Sequence, residues 1–246
     1  MRIFKADLHI HTCLSPCGDL MMSPKKIVAE VLRHDIDIIA ISDHNSAKNV
    51  SAVKKAAEGT GIVVLPGMEV CTREEVHLLA IFEHSESAFA MQSFVYDRLH
   101  GENDPDAIGL QVIATENDEV EDFEPKLLIG AADVSLDKAV EHVHMCGGIA
   151  IASHIDRESF SVIGQLGFIP ETVTFDALEI SANSDMADAR TRFSQYREYP
   201  FVRNSDAHFL SDIGNSWTAY RIEEPTFAEI RQALRKEFGR SIVEVT

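Results

Sequence analysis

A chain of 246 residues, 45% apolar and 25% charged, is long enough to bury an ample core without disulfides, so its four cysteines read as reduced thiols. No stretch approaches the apolar length that crosses a bilayer, and the first residues lack the basic and apolar regions of a secretion signal; a cytoplasmic protein with no membrane partner is expected. The net charge of -18 argues against long duplex nucleic acid as a partner, since duplex binding is driven by Lys and Arg displacing counterions, and leaves a small anionic substrate open.

Strand-like and helix-like runs alternate along the chain, the pattern of βα units around a parallel sheet or barrel. Residues 3–9 read as the first strand. Ser23 and Pro24 then give a cap and a first-turn proline to a helix with Ile27, Val28, Val31 and Leu32 on one face. A buried strand at 36–42, a helix from Val50 to Ala57 closed by Gly59, and a strand at 62–65 broken by Pro66 and Gly67 follow. Residues 76–82 read as strand and 88–99 as helix.

The alternation fails after Gly101, where an acidic, turn-rich stretch offers only short strands at 110–114 and 126–129. Residues 101–134 therefore read as an insertion, a hairpin that is either a lid or a surface elaboration. Leu136, Ala139, Val140 and Val143 restore helical spacing before Gly147 and Gly148. Strands at 149–153, 177–180, 201–205 and 218–222 follow, with a helix near 186–196. A last helix opens on the capping-box pattern Thr226 to Glu229. Seven or eight strands in βα order fit one barrel domain over residues 1–246.

The histidines and acids fall on this map in a revealing way. His9 and His11 follow the first strand, Asp43 and His44 the second, and Glu69 the third; His77 lies in the fourth, His154 follows the fifth, and Asp206 and His208 follow the penultimate one. Strand ends of a parallel barrel converge on one mouth, so residues distant in sequence would meet there. A lone His-x-His, a lone Glu after Pro-Gly or a lone Asp-His pair has an ordinary explanation as exposed or capping residues. Six of eleven histidines at strand ends do not, and a metal site accounts for them. Imidazoles mixed with carboxylates suit Zn²⁺, Mn²⁺ or Fe²⁺ better than Ca²⁺ or Mg²⁺, and so many donors imply two or three ions.

The segments DLHIHT, SPCG with Asp19, SDHN, PGMEV followed by VHLLAI, IASHIDR and NSDAH closely resemble the motifs of the PHP (polymerase and histidinol phosphatase) phosphoesterases, in order from Asp7 to about Trp217. The resemblance implies a distorted TIM-like (β/α)7 barrel with a trinuclear site and hydrolysis by a metal-activated hydroxide. By it, His9, His11, Glu69 and Asp206 would hold one ion; Glu69, as a bridge, with His77 and His154 a second; Asp19, His44 and His208 a third. Glu69, Asp206 and His208 would be the catalytic core. Family members often read Ser-Asp-Gly soon after the His-x-His, whereas SPCG intervenes here, which sets Asp19 apart from the other eight positions.

Arg157 has the chemistry for a bidentate phosphate contact and also for a salt bridge to a nearby acid. Asp7 and Asp43 read as carboxylates orienting the ligand imidazoles, with helix capping the alternative for Asp43. The expected activity is hydrolysis of a phosphomonoester of a small metabolite, of the nucleotide or sugar phosphate class. A nuclease or nucleotide 3'-phosphatase on short single strands, a noncatalytic metal-binding module, and C–N bond hydrolysis are the competing readings.

Overall fold

Strand β1 (Arg2–Ile10) organises the computed structural model, which describes residues 1–243. Its neighbours are β2 (Ile38–Ile41), paired parallel, and β10 (Thr218–Ile222), paired antiparallel. Beyond β2 come β3 (Val63–Cys71), β4 (His77–Ile81), β7 (Ile149–Ala152), β8 (Ala177–Ile180) and β9 (Phe201–Arg203), while β11 (Ser241–Val243) flanks β10. This nine-stranded sheet curls until its β9 side returns to β1. The Leu8 N–H donates to Asn204 Oδ1 at 2.7 Å, and the His11 N–H donates to the Ala207 carbonyl at 3.0 Å. The seven strands from β1 to β9 thus form the expected distorted TIM-like barrel, with β5 (Val112–Ala114) and β6 (Val120–Phe123) making a separate hairpin.

The barrel is not wholly parallel. Strand β4 runs antiparallel to both β3 and β7, so His77 stands at the amino end of its strand and still reaches the mouth. The five residues between Cys71 and His77 are too few for the crossover that a parallel pair requires.

Period-2 alternation decides which side chains face inward. Ile38, Ala40, Leu65, Leu79, Ile81, Ile151, Ala177 and Val202 share one buried cluster, whereas their neighbours Ile39, Ile41, Val64, Leu78, Ala80 and Leu178 pack with the helices in the other. Helices α1 (Pro24–Arg33), α2 (Val50–Ala56), α3 (Ser85–Tyr96) and α4 (Leu136–Met145) supply that outer layer. Helix α7 (Phe227–Leu234) instead puts Phe227, Ile230 and Leu234 into the inner cluster; it follows β10, which ends opposite Arg2 at the amino end of β1. Thr226 caps it by accepting from the Glu229 N–H. The Glu229 carboxylate binds the Glu223 N–H and Arg240 rather than completing the expected box.

Several elements differ from the sequence reading, β3 among them, since it is not broken at Pro66 and Gly67 but runs on to Cys71. The second strand of the insertion is β6 at 120–123, not 126–129, because Gln111 and Glu102 pair the backbone of 124–128 as a loop. Helix α5 (Val162–Leu166) and strand β11 are short and carry no periodicity of their own. Helix α6 (Met186–Arg192) ends early and passes into a 3-10 turn at 194–196. All four cysteines are free. Among the described residues no helix is long and apolar enough to cross a membrane.

Candidate metal centre

Inward parity carries straight from the core to the mouth. Glu69 follows Leu65 and Gly67 on the inner face of β3, His77 precedes Leu79 and Ile81 on β4, His44 continues the Ile38, Ala40 register, and Asp206 continues that of Val202. Strand β1 needs a correction of phase, since Phe4, Ala6 and Leu8 already face inward. A register shift between Asp7 and Ile10 supplies it: beyond this bulge Ile10 joins the outer cluster and both His9 and His11 turn to the mouth. His154 and Asp206 reach it with φ of 28° and 52°, in the left-handed region that non-glycine residues adopt uncommonly.

Glu69 is the centre of the group. Its Oε1 lies 3.2 Å from His9 Nε2, 3.1 Å from His77 Nδ1 and 3.4 Å from His154 Nε2, while its Oε2 lies 3.3 Å from His44 Nδ1 and 3.5 Å from His11 Nε2. Each oxygen thus serves a different set of imidazoles, the disposition of a carboxylate that bridges two cations. Asp206 Oδ1 stands 3.2 Å from His9 Nε2, 3.3 Å from His11 Nε2 and 3.6 Å from His208 Nδ1. Three groups of donors close enough to share an ion emerge among the described residues: His9, His11, Glu69 and Asp206; His44, Glu69 and His77; and His11, His44 and His208.

The donors fit divalent cations on three counts. Separations of 3.1–3.5 Å match the edge of a coordination shell whose donors each lie about 2.1 Å from the ion. The His9 and His11 Nε2 atoms face each other at 3.2 Å, which an ion between their lone pairs explains. Glu69 Oε1 and His44 Nδ1, both facing the site, are buried without a hydrogen-bond partner, which is costly unless another ligand satisfies them.

Electrostatics point the same way. Burial raises the Glu69 pKa, but His77 and His9 outweigh it and hold the carboxyl well below the usual range. Burial lowers His9, yet Glu179, Asp206 and Glu69 lift it well above an ordinary histidine. Burial, reinforced by His208, pushes His11 down to about 4, and burial with His11 keeps His44 well below its ordinary value. Acid and base pKa values driven apart at such close range mark a place where charge is to be compensated by something else.

The surrounding residues differ from expectation. Neither Asp7 nor Asp43 touches a ring nitrogen. Asp7 Oδ1 accepts from the Ser205 and His9 N–H groups because it lies on the outer side of the bulge. Asp43 accepts from the Thr12 N–H at 2.7 Å and from the Ser15 hydroxyl at 2.8 Å, and Ser15 Oγ in turn stands 3.0 Å from His11 Nδ1. The direct partner of an imidazole is Glu179, which the sequence reading passed over. Both its oxygens lie within 3.1 Å of His9 Nδ1, and it also accepts from the His154 N–H and Asn204 Nδ2. A single Glu between Leu178 and Ile180, in inner register with Ala177, is the signal that would have found it.

Asp19 stands apart from the three donor groups. Its N–H donates to the His208 carbonyl at 2.8 Å, which ties the SPCG loop to the site, but its Oδ1 accepts from the Met21 N–H at 2.7 Å. Arg157 makes its salt bridge inward, with one guanidinium nitrogen 2.6 Å from Asp206 Oδ2. Phe160 stacks on His77 with ring centroids 4.6 Å apart. The insertion buttresses this rim: Asn45 Nδ2 donates to the Leu128 and Gly130 carbonyls, and Asn49 donates to the Val112 carbonyl and accepts from the Ala114 N–H.

A barrel mouth lined by imidazoles around one shared carboxylate, with an arginine beside it, is a site able to hold divalent cations. Residues 7–161 match the PHP domain family and residues 189–237 match the PHP-associated family, and the chain belongs to the PHP family.

The curated relatives include the uncharacterized protein YqxK of Bacillus subtilis, 30% identical over 115 residues, which are 45% of this chain and 29% of that protein. The 5'-3' exoribonuclease of Haemophilus influenzae is 28% identical over 80 residues, 31% of this chain and 28% of that one. The chain thus spans less than half the length of these relatives. Among solved structures, the lesion-specific endonuclease Q of Pyrococcus furiosus superposes with a TM-score of 0.77 at 18% identity, covering 98% of this chain and 58% of that one. A Bifidobacterium adolescentis protein, named as a candidate metal-dependent phosphoesterase, gives 0.62 at 16% identity, covering 94% and 96%.

The exclusion of long duplex nucleic acid, argued from net charge, is overturned by this comparison. The same fold in endonuclease Q, with a TM-score of 0.74 and 17% identity over 98% of this chain and 58% of that one, is solved with a 27-mer duplex carrying an abasic lesion at the active site. Total charge sums over the whole surface, whereas a duplex meets one face, where bound cations and local arginines set the potential.

Proposed function

We propose that the mouth hydrolyses a phosphomonoester of a small metabolite, of the nucleotide class in the first place. The observation that carries this reading is the split of Glu69, one oxygen toward His9, His77 and His154 and the other toward His11 and His44, with Arg157 alongside at Asp206. In this reading His9, His11, Glu69 and Asp206 hold one divalent ion, Glu69 with His77 and His154 a second, and Asp19, His44 and His208 a third, the ions being Mn²⁺, Zn²⁺ or Fe²⁺. Bound cations of this kind supply a hydroxide at neutral pH and neutralise charge on the phosphoryl oxygens.

The chain's own groups orient and bind. Glu179 fixes the proton of His9 on Nδ1 and leaves Nε2 as a lone pair for the site. Arg157, 42% exposed at the rim, turns from Asp206 to present its fork to a phosphate. Residues 1–246 act as one barrel domain, with the 101–134 insertion as a wall of the mouth. Incubating metal-loaded protein with a panel of phosphorylated metabolites tests this; phosphate release from a nucleotide is expected, and none from any member would refute it.

A second reading, cleavage of a nucleic-acid phosphodiester, is supported by the likeness to endonuclease Q and to the exoribonuclease. Labelled single strands and a duplex with an abasic lesion, tested in the same assay, separate the two. Shortening of either without phosphate release from mononucleotides favours the second.

A further inference from the structure

The sheet has two edge strands, β9 and β11, and a hollow lies where β9, β10 and β11 come together. The hollow in this seam has a volume of about 620 Å³ and is lined among others by Met186, Arg203, Ser216, Trp217 and Val243. A second hollow of about 330 Å³ shares Arg190, Phe201 and Ile242 with it and adds Arg197 and Lys236. It is distinct from the metal mouth by strand parity. Val202 and Asp206 face inward, whereas Phe201 packs in the outer layer and Arg203 shares its side of β9.

The polar groups of this seam are incompletely used. Ser216 is only 5% exposed, and its hydroxyl has no hydrogen-bond partner. The Nε of Arg203 is likewise buried and unpartnered, while its Nη2 donates to the Ala182 carbonyl at 2.8 Å. That bond fixes the guanidinium plane and leaves the remaining edge as a donor. Two such groups in one cavity represent a cost that a ligand would remove.

The charge around them selects the ligand. On a chain of net charge -18, the larger hollow presents Arg203 and the smaller one Lys236, while Arg197 beside them lies 3.7 Å from Glu198. Among the described residues the acid lining them is Asp185, which is occupied in capping α6 through the Ala187 and Asp188 N–H groups. Guanidinium groups match phosphate oxygens in a fork, and the Trp217 indole and Met186 offer a face for a flat apolar ring. A volume of several hundred Å³ suits a single small molecule.

We propose that the seam between β9 and β10 is a second binding site, separate from the metal mouth, for a phosphorylated ligand of nucleotide size held by Arg203 and Ser216 against Trp217. The chain has one tryptophan, and it lines this cavity, so its fluorescence is a probe of the site. Metal-loaded full-length protein is titrated with adenosine 5'-(α,β-methylene)diphosphate, which resists hydrolysis, and with adenosine as the control lacking phosphate.

A saturable change with the nucleotide and none with adenosine is expected. Arg203→Gln should weaken it about tenfold or more, and Ser216→Ala, which removes only an unpaired hydroxyl, should weaken it a few-fold without lowering the melting temperature. Arg157→Ala, in the metal mouth, should leave the response in place. No saturable change, an equal response to adenosine, a response indifferent to both seam variants, or one produced only by an oligonucleotide overturns the proposal.

Discussion

His9 and Glu179 are 170 residues apart in sequence, and both carboxylate oxygens of Glu179 lie within 3.1 Å of His9 Nδ1. That contact orients the ring on which His11, Glu69 and Asp206 converge. Glu179→Gln keeps the shape but removes the charge and a clean acceptor pair. Metal affinity is expected to fall roughly 10–100-fold with the fold retained, as is usual when the hydrogen-bond partner of a metal-binding histidine is lost. Equilibrium dialysis with Mn²⁺ checks it; unchanged affinity would show that His9 is not oriented through Glu179.

Removing divalent ions should destabilise the protein, because buried, closely packed donors then face each other without compensation. Chelation is expected to lower the melting temperature, and restoring Mn²⁺ or Zn²⁺ to raise it in a concentration-dependent way, each ion adding about 2.7 kcal/mol of stability at a hundredfold excess over its Kd. Calorimetry with and without metal tests this, and a melting temperature indifferent to metal would argue against a site at all.

Arg157→Ala should lower kcat/KM by roughly 10–100-fold, the scale of a lost charge-assisted hydrogen bond, with metal content unchanged. Arg157→Lys should recover only part, since an ammonium lacks the fork. Steady-state kinetics beside elemental analysis separates this from a role confined to its salt bridge with Asp206.

Gly67 brings β2, β3 and β4 together two residues before Glu69. An added Cβ would stand 2.8 Å from Ile81 Cδ1 and 3.0 Å from the Ala80 and Ile41 carbonyl oxygens. Gly67→Ala is expected to cost about 1–3 kcal/mol of stability, since backbone on two sides cannot give way. Denaturant unfolding measures it.

His142 stacks on Phe94 at 3.8 Å, and burial together with Arg98 lowers its pKa. The unfolded chain therefore binds a proton that the folded one resists. Its contribution is fully present above the ordinary histidine pKa of about 6.5 and is lost as pH falls through and below that value. Replacing it by Phe should reduce the loss of stability between neutral and mildly acid pH, read from melting temperatures across that range.

The sequence alone carried a good deal of this protein. Local periodicity placed β8 and β10 within their observed bounds and most helices to within a few residues, because the apolar face of each element is written in its own spacing. The strand-end histidines and acids were equally legible, since polar residues at the ends of buried strands stand out against their surroundings. Tertiary structure alone decided the rest. The antiparallel course of β4, the bulge that turns His9 and His11 to the mouth, and the meeting of Glu179 with His9 depend on pairing between strands far apart in the chain. The hollow at Arg203 arises the same way, from where β10 and β11 come to lie beside β9. No window of neighbouring residues contains that information, because register and closure are properties of the whole sheet.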